Sequence, residues 1–371
     1  MSAGSLAILA GLPAIGPKRL RLMLAHHRPD EAVALLRSGR ALHPMVRRGV
    51  DANLFDRWRV VAGAEHPDAA AARCAALSVN VVAHGDTEYP AVLVNDPEAP
   101  AALFVQGSLE ALHGRRVGVI GTRNATASGR ATASELGEVL AAEGVAVVSG
   151  LARGIDGAAH RGVRTSGGPG RPVAVVGNGA DRPYPKQHAD LWAWVASAGV
   201  VISEWPPGVQ PDAWRFPLRN RVLAALCEVL VVVESRETGG SLITARAAAE
   251  RGVEVMAVPG SPRCRSSAGT NQLLVDGVAP VTSALDVLTM LGLDHRRQGS
   301  SPFDPRPVPH GVQARVLDWC AREPSTLDML VAGLDVPVAE AALAVARLEH
   351  QGWLLEAGGW FEPAGSRLAP S

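Results

Sequence analysis

Two short stretches of the sequence combine glycine, hydroxyl side chains and arginine in a way that suits phosphate binding. Each follows a short apolar run and precedes a helical pattern, so backbone N–H groups and the positive end of a helix dipole would face an anion. Arginine adds charge-assisted hydrogen bonds to phosphate oxygens, and glycine lets the backbone approach a ligand closely. The residues predicted to bind phosphate are Gly121, Thr122, Arg123, Ser149, Gly150 and Arg153.

A second group of polar residues follows further along the chain. Arg219 and Arg221 flank Asn220 between a proline and a helical pattern, so the two arginines could straddle a phosphate backbone. The alternative is an ion pair from this arginine cluster to Glu204 or Glu234, each of which ends an apolar run. The sequence leaves both interpretations open.

Asp156 and His160 are four residues apart and so share one helix face. They could form an acid–base pair or half of a metal site, but no third ligand or nucleophile is placed near them by the sequence. A structural hydrogen bond beneath the glycine turn is the favoured interpretation. The sequence therefore predicts no catalytic residue, no metal site and no cofactor.

These residues must be positioned by the elements around them. Short apolar runs alternate with helical patterns across residues 113–283, which predicts an α/β fold with an extended, Rossmann-like, doubly wound and mostly parallel sheet. Most of the candidate residues come just after a strand, where open α/β sheets bind their ligands. We predict five segments: a helical domain over 1–78, a connector over 79–112, the Rossmann-like domain over 113–283, a linker over 284–309 and a winged-helix domain over 310–365.

The composition restricts the classes of protein that fit. The chain has 371 residues, 47% of them hydrophobic, with no long apolar run, no secretory leader pattern and four scattered cysteines, which predicts a cytoplasmic protein with no membrane contact. Its formal net charge is zero, but residues 113–283 carry a basic excess of four and residues 284–371 an acidic excess of four. The positive charge thus lies with the phosphate-type turns and predicts a local groove, not a broad basic face.

The terminal domains give weaker signals. The turn from Leu12 to Lys18 resembles a helix-hairpin-helix turn, whose amides can touch a DNA backbone, although a structural or protein-contact role is favoured. Three helical patterns and a terminal hairpin predict the winged helix. Its presumptive recognition helix, from Glu340 to Glu349, is acidic, which favours a protein partner over DNA.

Several ordered motifs across residues 115–283 resemble those of the DNA-processing protein A family, also called DprA or Smf. The segments that carry the resemblance are Gly121–Arg123, Val148–Asp156, Ala159-His160, Gly177–Asp181, Tyr184-Pro185, Ser203-Glu204, Phe216–Arg221, Gly240–Ala245 and Pro259-Gly260. Two departures occur: Gly-Thr-Arg replaces the common Gly-Ser-Arg, and Thr126–Gly129 lacks a tyrosine that the family usually has there.

The resemblance implies a non-enzymatic protein that binds and protects single-stranded DNA, forms a homodimer and loads the RecA recombinase during natural transformation, the uptake of foreign DNA. It also implies that Arg123 binds a DNA phosphate and that Lys186 occupies a position where the family can carry a DNA-contacting lysine. The motifs add Phe216, Gly240 and Ser241 to the predicted DNA-binding residues.

Two other classes remain open. A Rossmann-like nucleotide-binding or nucleotide-hydrolysing enzyme is the alternative, but the nearest match to its glycine-rich loop, Ser266–Asn271, has serines in place of the glycine pair. Neither a dinucleotide fingerprint nor a Walker lysine motif is present in the sequence. A pure adaptor acting through its terminal domains is the third class, and the clustered arginines argue against it.

Overall fold

The computed structural model of the chain describes residues 2–293, residue 306 and residues 309–364. The chain divides into two compact units, residues 1–294 and residues 295–371. The first unit begins with six helices, which are α1 (Ala3–Ala10), α2 (Gly16–His26), α3 (Pro29–Ser38), α4 (Pro44–Arg47), α5 (Ala52–Ala64) and α6 (Pro67–Ala76).

The remainder of the first unit is a nine-stranded sheet with its connecting helices. In chain order these elements are β1 (Asn80–Ala83), α7 (Ala91–Val94), β2 (Ala102–Gly107), β3 (Arg116–Ile120), α8 (Ala127–Ala142), β4 (Ala146–Ser149), α9 (Ile155–Ser166), β5 (Pro172–Val176), α10 (Ala189–Ala198), β6 (Val200–Ser203), α11 (Arg215–Ala225), β7 (Val229–Val232), α12 (Gly240–Ala249), β8 (Glu254–Ala257), α13 (Ala268–Val275), β9 (Ala279–Pro280) and α14 (Ala284–Met290).

The sheet has the strand order β1-β2-β6-β5-β4-β3-β7-β8-β9, and every neighbouring pair from β6 to β9 is parallel. Alternate residues of a strand face opposite sides of the sheet. Val148 and Val175 pack against α11 and α12, whereas Val147 packs against α8, α9 and α14, and Val176 packs against α10 and the N-terminal helices. Helices therefore cover both faces, and the predicted doubly wound, Rossmann-like fold is confirmed.

Residues 79–112 are more than the predicted connector. They supply β1 and β2, which extend the sheet beyond β6 as antiparallel strands, with Phe104 opposite Ser203. Leu103, Phe104 and Val105 are all buried, so this segment contributes to the hydrophobic core on both faces of the sheet.

The N-terminal helices share a core with the sheet. Their apolar side chains form one continuous cluster with Phe104, Leu151 and Trp192. At its centre, Trp58 is fully buried and donates its indole N–H to the carbonyl oxygen of Pro13 at 2.8 Å, which fixes the turn between α1 and α2. The six helices are thus part of the same compact unit as the sheet.

The predicted linker over 284–309 needs correction at its start. Residues 284–290 form α14, which begins with a capping box between Ser283 and Asp286. Val287 and Leu288 are buried in the cluster that also contains α8 and α9, so this helix belongs to the sheet domain. Most of the remaining predicted linker lies outside the described residues.

The second unit contains α15 (Val312–Arg322), β10 (Ser325–Thr326), α16 (Leu327–Leu334), α17 (Val338–His350), β11 (Leu354–Ala357) and β12 (Trp360–Pro363). Its strands form an antiparallel sheet in the order β10-β12-β11. The β11–β12 hairpin turns at Gly358 and Gly359, which both have positive φ, as a two-residue turn of the primed type requires. Three helices with such a hairpin agree with the winged-helix prediction, although residue 365, its predicted end, is outside the described residues.

No single helix in the described part of the chain has the length and apolar character needed to cross a membrane. The helices α16 and α17 reach that length and apolar character only when counted together, and the pair is sharply bent between them.

Candidate nucleic-acid interface

Two adjoining cavities lie at the carboxyl ends of the parallel strands. The first, called the Arg219 cavity, has a volume of about 650 Å³, and the second, called the Lys186 cavity, has a volume of about 510 Å³. Both are lined by Arg123, Tyr184 and Phe216, so the cavities form one continuous surface. The position agrees with the rule that open α/β sheets bind ligands beyond the carboxyl ends of their strands.

Four exposed cations surround this surface. Arg123, Arg153 and Lys186 line the Lys186 cavity, and Arg123 and Arg236 line the Arg219 cavity. Among the described residues, none of the four forms an ion pair with a carboxylate. A cation without a counter-ion is available to a phosphate, so the predicted positions of Arg123, Arg153 and Lys186 suit anion binding.

Aromatic side chains stand beside these cations. The guanidinium of Arg123 lies 4.6 Å from the centre of the Phe216 ring, and the Phe216 and Tyr184 rings are 5.8 Å apart. Tyr184 is exposed and Phe216 is partly exposed. Aromatic faces next to unpaired cations are the combination on which single-stranded nucleic acids stack their bases.

Arg219 lies beneath this surface and does not reach into solvent. Its guanidinium donates to the carbonyl oxygen of Val175, and it is buried at the bottom of the cavity together with Asp156. Burial lowers the pKa of Arg219 to about 10, so it stays charged at neutral pH. Burial raises the pKa of Asp156. The charge of Arg219 and hydrogen bonds with the backbone at Ala152 and Gly121 act in the opposite direction and lower this pKa.

The prediction that Arg219 and Arg221 straddle a DNA backbone needs correction at Arg221. It is buried, pairs with Glu204 and donates to the carbonyl oxygen of Glu98. The ion pair to Glu204, left open by the sequence, is therefore the arrangement in the structure. Burial raises the pKa of Glu204 to about 7, although Arg221 favours its charged form.

The two predicted serines also face inward. Ser149 is fully buried and donates its hydroxyl to the carbonyl oxygen of Val119 at 2.6 Å, so it cannot offer that hydroxyl to a phosphate. Ser241 is buried and donates to the hydroxyl of Ser235 at 2.8 Å. The expectation of direct contact through the hydroxyl is therefore corrected for Ser149, whereas Ser241 lines the Arg219 cavity and stays a prediction.

The predicted glycines differ in how much space surrounds the position where a Cβ would lie. Gly240 lines the Arg219 cavity at the start of α12, and no atom lies within 4 Å of the place where its Cβ would be. At Gly150, a Cβ would lie 2.0 Å from Nη1 of Arg219. At Gly121 it would lie 2.6 Å from Ile155. Gly240 leaves its backbone open to a ligand, whereas Gly150 and Gly121 make room for the packing beneath the site.

Glu234 supports the turn that carries Arg123. Its carboxylate accepts hydrogen bonds from the Thr126 hydroxyl and from the Thr126 N–H, the latter at 2.9 Å, and its carbonyl oxygen accepts the N–H of Thr122 at 2.8 Å. Thr122 in turn accepts the N–H of Asn124 at 3.2 Å. These contacts hold the segment between β3 and α8, so Glu234 positions Arg123 from below.

His160 does not form the expected structural hydrogen bond. The side chain is fully buried, and neither ring nitrogen has a hydrogen-bond partner among the described residues. Burial lowers its pKa to about 3, which keeps the ring neutral. Asp156, by contrast, forms hydrogen bonds with the backbone at Ala152 and Gly121. The described residues contain no group of side chains suited to hold a metal ion.

Two residues of the surface were not predicted as site residues. Arg236 lies shortly after β7, so the rule that identified Arg123 after β3 could also have identified it. Tyr184 belongs to the Tyr184-Pro185 motif, but a tyrosine in the sequence gives no sign that its side chain faces a cavity. Asn220, which was predicted, lines the Arg219 cavity.

The sequence profile of a family described as DNA recombination-mediator protein A matches residues 80–292. The DNA processing protein DprA of Bacillus subtilis is 36% identical over 226 residues, which cover 61% of this chain and 75% of that protein. The protein Smf of Escherichia coli is 35% identical over 279 residues, which cover 74% of each chain.

Two solved structures are also similar. The crystal structure of DprA from Streptococcus pneumoniae has 29% sequence identity and a TM-score of 0.62, and the match covers 76% of this chain and 95% of that one. A DNA processing protein A from Helicobacter pylori, whose structure was described for its single-stranded DNA binding mode, shares the fold with a TM-score of 0.53 and 24% identity, over 58% of this chain and 96% of its own. With its fold, its strand-end site and these relatives, the chain belongs to the family of DNA recombination-mediator protein A, the DprA or Smf family.

Proposed function

We propose that the chain binds single-stranded DNA across the Arg219 and Lys186 cavities and acts there as a non-catalytic recombination mediator. The observation that carries the proposal is a set of four cations around one continuous surface, Arg123, Arg153, Lys186 and Arg236, which pair with no carboxylate in the part of the chain that the structure describes. Phosphates would be held by these cations and by backbone N–H groups at the start of α12. The related protein from Helicobacter pylori, described for binding single-stranded DNA, supports the same ligand.

The aromatic rings argue for single strands over duplex DNA. Tyr184 and Phe216 face the cavities beside Arg123. A base can stack on such a ring only when it has left its own stack, as it does readily in a single strand. Duplex DNA keeps its bases paired and offers only its phosphates, so it would use the cations and not the rings.

The proposal is tested by fluorescence anisotropy with labelled single-stranded and duplex oligonucleotides of equal length. Wild-type protein should prefer the single strand by about tenfold or more, which is the effect of one stacked base. Arg123→Ala and Lys186→Ala should each weaken binding. Arg171→Ala is the matched control, because Arg171 is exposed and precedes β5, at the opposite edge of the sheet.

Equal binding of both DNA forms, or equal affinity in the Arg123, Lys186 and Arg171 variants, would contradict the proposal. A mononucleotide that displaces the single strand at low concentration would instead favour the alternative, a nucleotide-binding or nucleotide-hydrolysing enzyme. His160 is fully buried and lines neither cavity, which supports the non-catalytic choice, since a general acid or base must reach its substrate.

The proposal also includes loading of the RecA recombinase and formation of a homodimer. Membership of a recombination-mediator family supports RecA loading. If the chain loads RecA, it should shorten the lag in single-strand-dependent ATP hydrolysis by RecA when the DNA is already coated by a single-strand-binding protein. The Arg123→Ala variant should lose this effect. Light scattering at several protein concentrations tests the homodimer.

A further inference from the structure

A third cavity, of about 740 Å³, continues the proposed DNA surface toward the N-terminal helices. We call it the N-terminal groove. Pro217, Asn220 and Ile243 line both this groove and the Arg219 cavity, so one surface passes directly into the other. The opposite wall of the groove is the turn between α1 and α2 together with α4.

The rim of the N-terminal groove is positively charged. Lys18, Arg19 and Arg48 line it, and the Lys18 side chain is 90% exposed. Glu98 is its one acidic lining residue, and the carboxylate of Glu98 lies 3.0 Å from Arg251 and 3.7 Å from Lys18. Lys18, Arg19 and Arg48 outnumber this single carboxylate, so the rim keeps a net positive charge toward solvent.

The groove also offers apolar surface between its walls. Ile243 of α12 is 53% exposed and Met45 of α4 is 50% exposed, although both side chains are large and hydrophobic. Leu22 and Leu218 line the same groove and are half-buried. Apolar side chains between basic rims suit the bases and phosphates of an unpaired strand, which present an apolar face and a negative charge at every nucleotide.

The turn at the rim is shaped for a close approach. Gly16 has a φ of +57°, and no atom lies within 4 Å of the place where its Cβ would be. The 11-residue α2 starts at Gly16, so its first N–H groups have no carbonyl partner within the helix. The hydrogen bond from Trp58 to Pro13 holds the turn in this position before any ligand arrives.

We propose that the N-terminal groove binds the continuation of the same DNA strand, with Lys18 and Arg48 on its phosphates. This inference rests on the proposed function, because the strand must first occupy the Arg219 and Lys186 cavities. Continuity of the two surfaces and their shared positive rim favour this occupant over an apolar peptide. The N-terminal helices then act as a DNA-contacting part of the protein, and the helix-hairpin-helix resemblance of their first turn gains a function.

The test is a length series of oligothymidylates, from about 4 to about 16 nucleotides, the span of site sizes of single-strand-binding domains. The full chain is compared with the double variant Lys18→Ala/Arg48→Ala. A second double variant, Arg40→Ala/Arg57→Ala, removes two exposed arginines from the same N-terminal region, one between α3 and α4 and one on α5, without touching the groove. Arg123→Ala reports separately on the proposed main site.

We expect the groove variant to bind the longest oligonucleotide about tenfold more weakly than wild type, and the shortest one with nearly unchanged affinity. Its salt dependence on the longest oligonucleotide should fall by about 0.7 per lost phosphate contact. The Arg40/Arg57 variant should follow the wild type at every length.

If the groove variant matches the wild type at every length while Arg123→Ala still loses binding, the inference is overturned and the proposed function stands. If the short oligonucleotides bind equally with and without Arg123, the proposed function fails, and this inference fails with it. Weaker binding of all lengths in the groove variant would also contradict a role confined to the continuation of the strand.

Discussion

At Gly150, the absence of a side chain makes room for a buried guanidinium. A Cβ there would lie 2.0 Å from Nη1 of Arg219 and 2.6 Å from Oδ2 of Asp156. Gly150→Ala should therefore lower the free energy of unfolding by about 1–3 kcal/mol, as overpacking of a well-packed site does, and should weaken DNA binding. Denaturant unfolding and anisotropy measure the two effects.

Gly240→Ala is the matched control, because nothing lies within 4 Å of its Cβ position and alanine favours a helix. Its free energy of unfolding should stay the same or rise by up to about 1 kcal/mol. Equal destabilisation of the two variants would show that Gly150 does not make room for Arg219.

His160 gives the protein a specific sensitivity to acid. The ordinary pKa of its ring is 6.5, and burial lowers this value to about 3 in the folded protein. Below pH 6.5 the unfolded chain therefore binds a proton that the folded chain does not, so the contribution of His160 to stability is lost as the pH falls from 6.5 toward 3. By about pH 5 the loss amounts to roughly 2 kcal/mol.

His160→Leu, which has no group to protonate, should lose about 2 kcal/mol less stability than the wild type between about pH 7.5 and about pH 5. Urea unfolding at the two pH values measures this difference, and the other titrating groups cancel because both proteins contain them. Parallel losses in the two proteins would mean that the folded state accommodates a charged His160.

At the scale of elements, α14 is the segment whose role differs most from its prediction. Leu288 is 1% exposed within the sheet core, whereas Leu285 on the same helix is 37% exposed. Leu288→Ala should lower the free energy of unfolding by about 2–5 kcal/mol, the usual cost of a large-to-small change in a core. Leu285→Ala should change it by about 0.5 kcal/mol or less. Similar, small effects of both changes would restore the interpretation of 284–290 as a linker.

The sequence predicts the parallel strands and their ends well because each central strand is a short apolar run bounded by glycine or a polar residue. It therefore also predicts that Arg123 and Arg153 lie at the same edge, whereas Lys186 was predicted only from the family resemblance. The capping box from Ser283 to Asp286 was present in the sequence and could have identified α14.

The direction in which a single side chain points was harder to predict. Arg219 and Arg221 are two residues apart on a helix, so their side chains point in different directions and cannot face the same ligand. This spacing was already evidence against the prediction that both arginines bind one DNA backbone. Which of the two faces the cavity depends on Glu204, a contact made across 17 residues of chain. Ser149 ends a strand, and only its pairing with the neighbouring strand decides that its hydroxyl points inward.

At the scale of the whole molecule, a chain with no formal net charge gathers exposed cations on one surface. Arg123, Arg153 and Lys186 surround the Lys186 cavity, and Lys18 and Arg48 continue the same charge along the N-terminal groove. The acidic excess lies in residues 284–371. Binding of DNA by such a protein should depend on a few defined contacts and not on a general attraction.

The role of the exposed cations in DNA binding is tested most directly by the salt dependence of single-stranded DNA binding. This dependence is measured for the wild type, for Arg123→Ala/Lys186→Ala and for Arg171→Ala. The logarithm of the wild-type affinity should fall linearly with the logarithm of the salt concentration. The double variant should bind more weakly with a slope shallower by about 1.4, since each lost phosphate contact removes about 0.7. Arg171→Ala should keep the wild-type slope. A double variant with the affinity and slope of the wild type would contradict the claim that these cations hold the DNA.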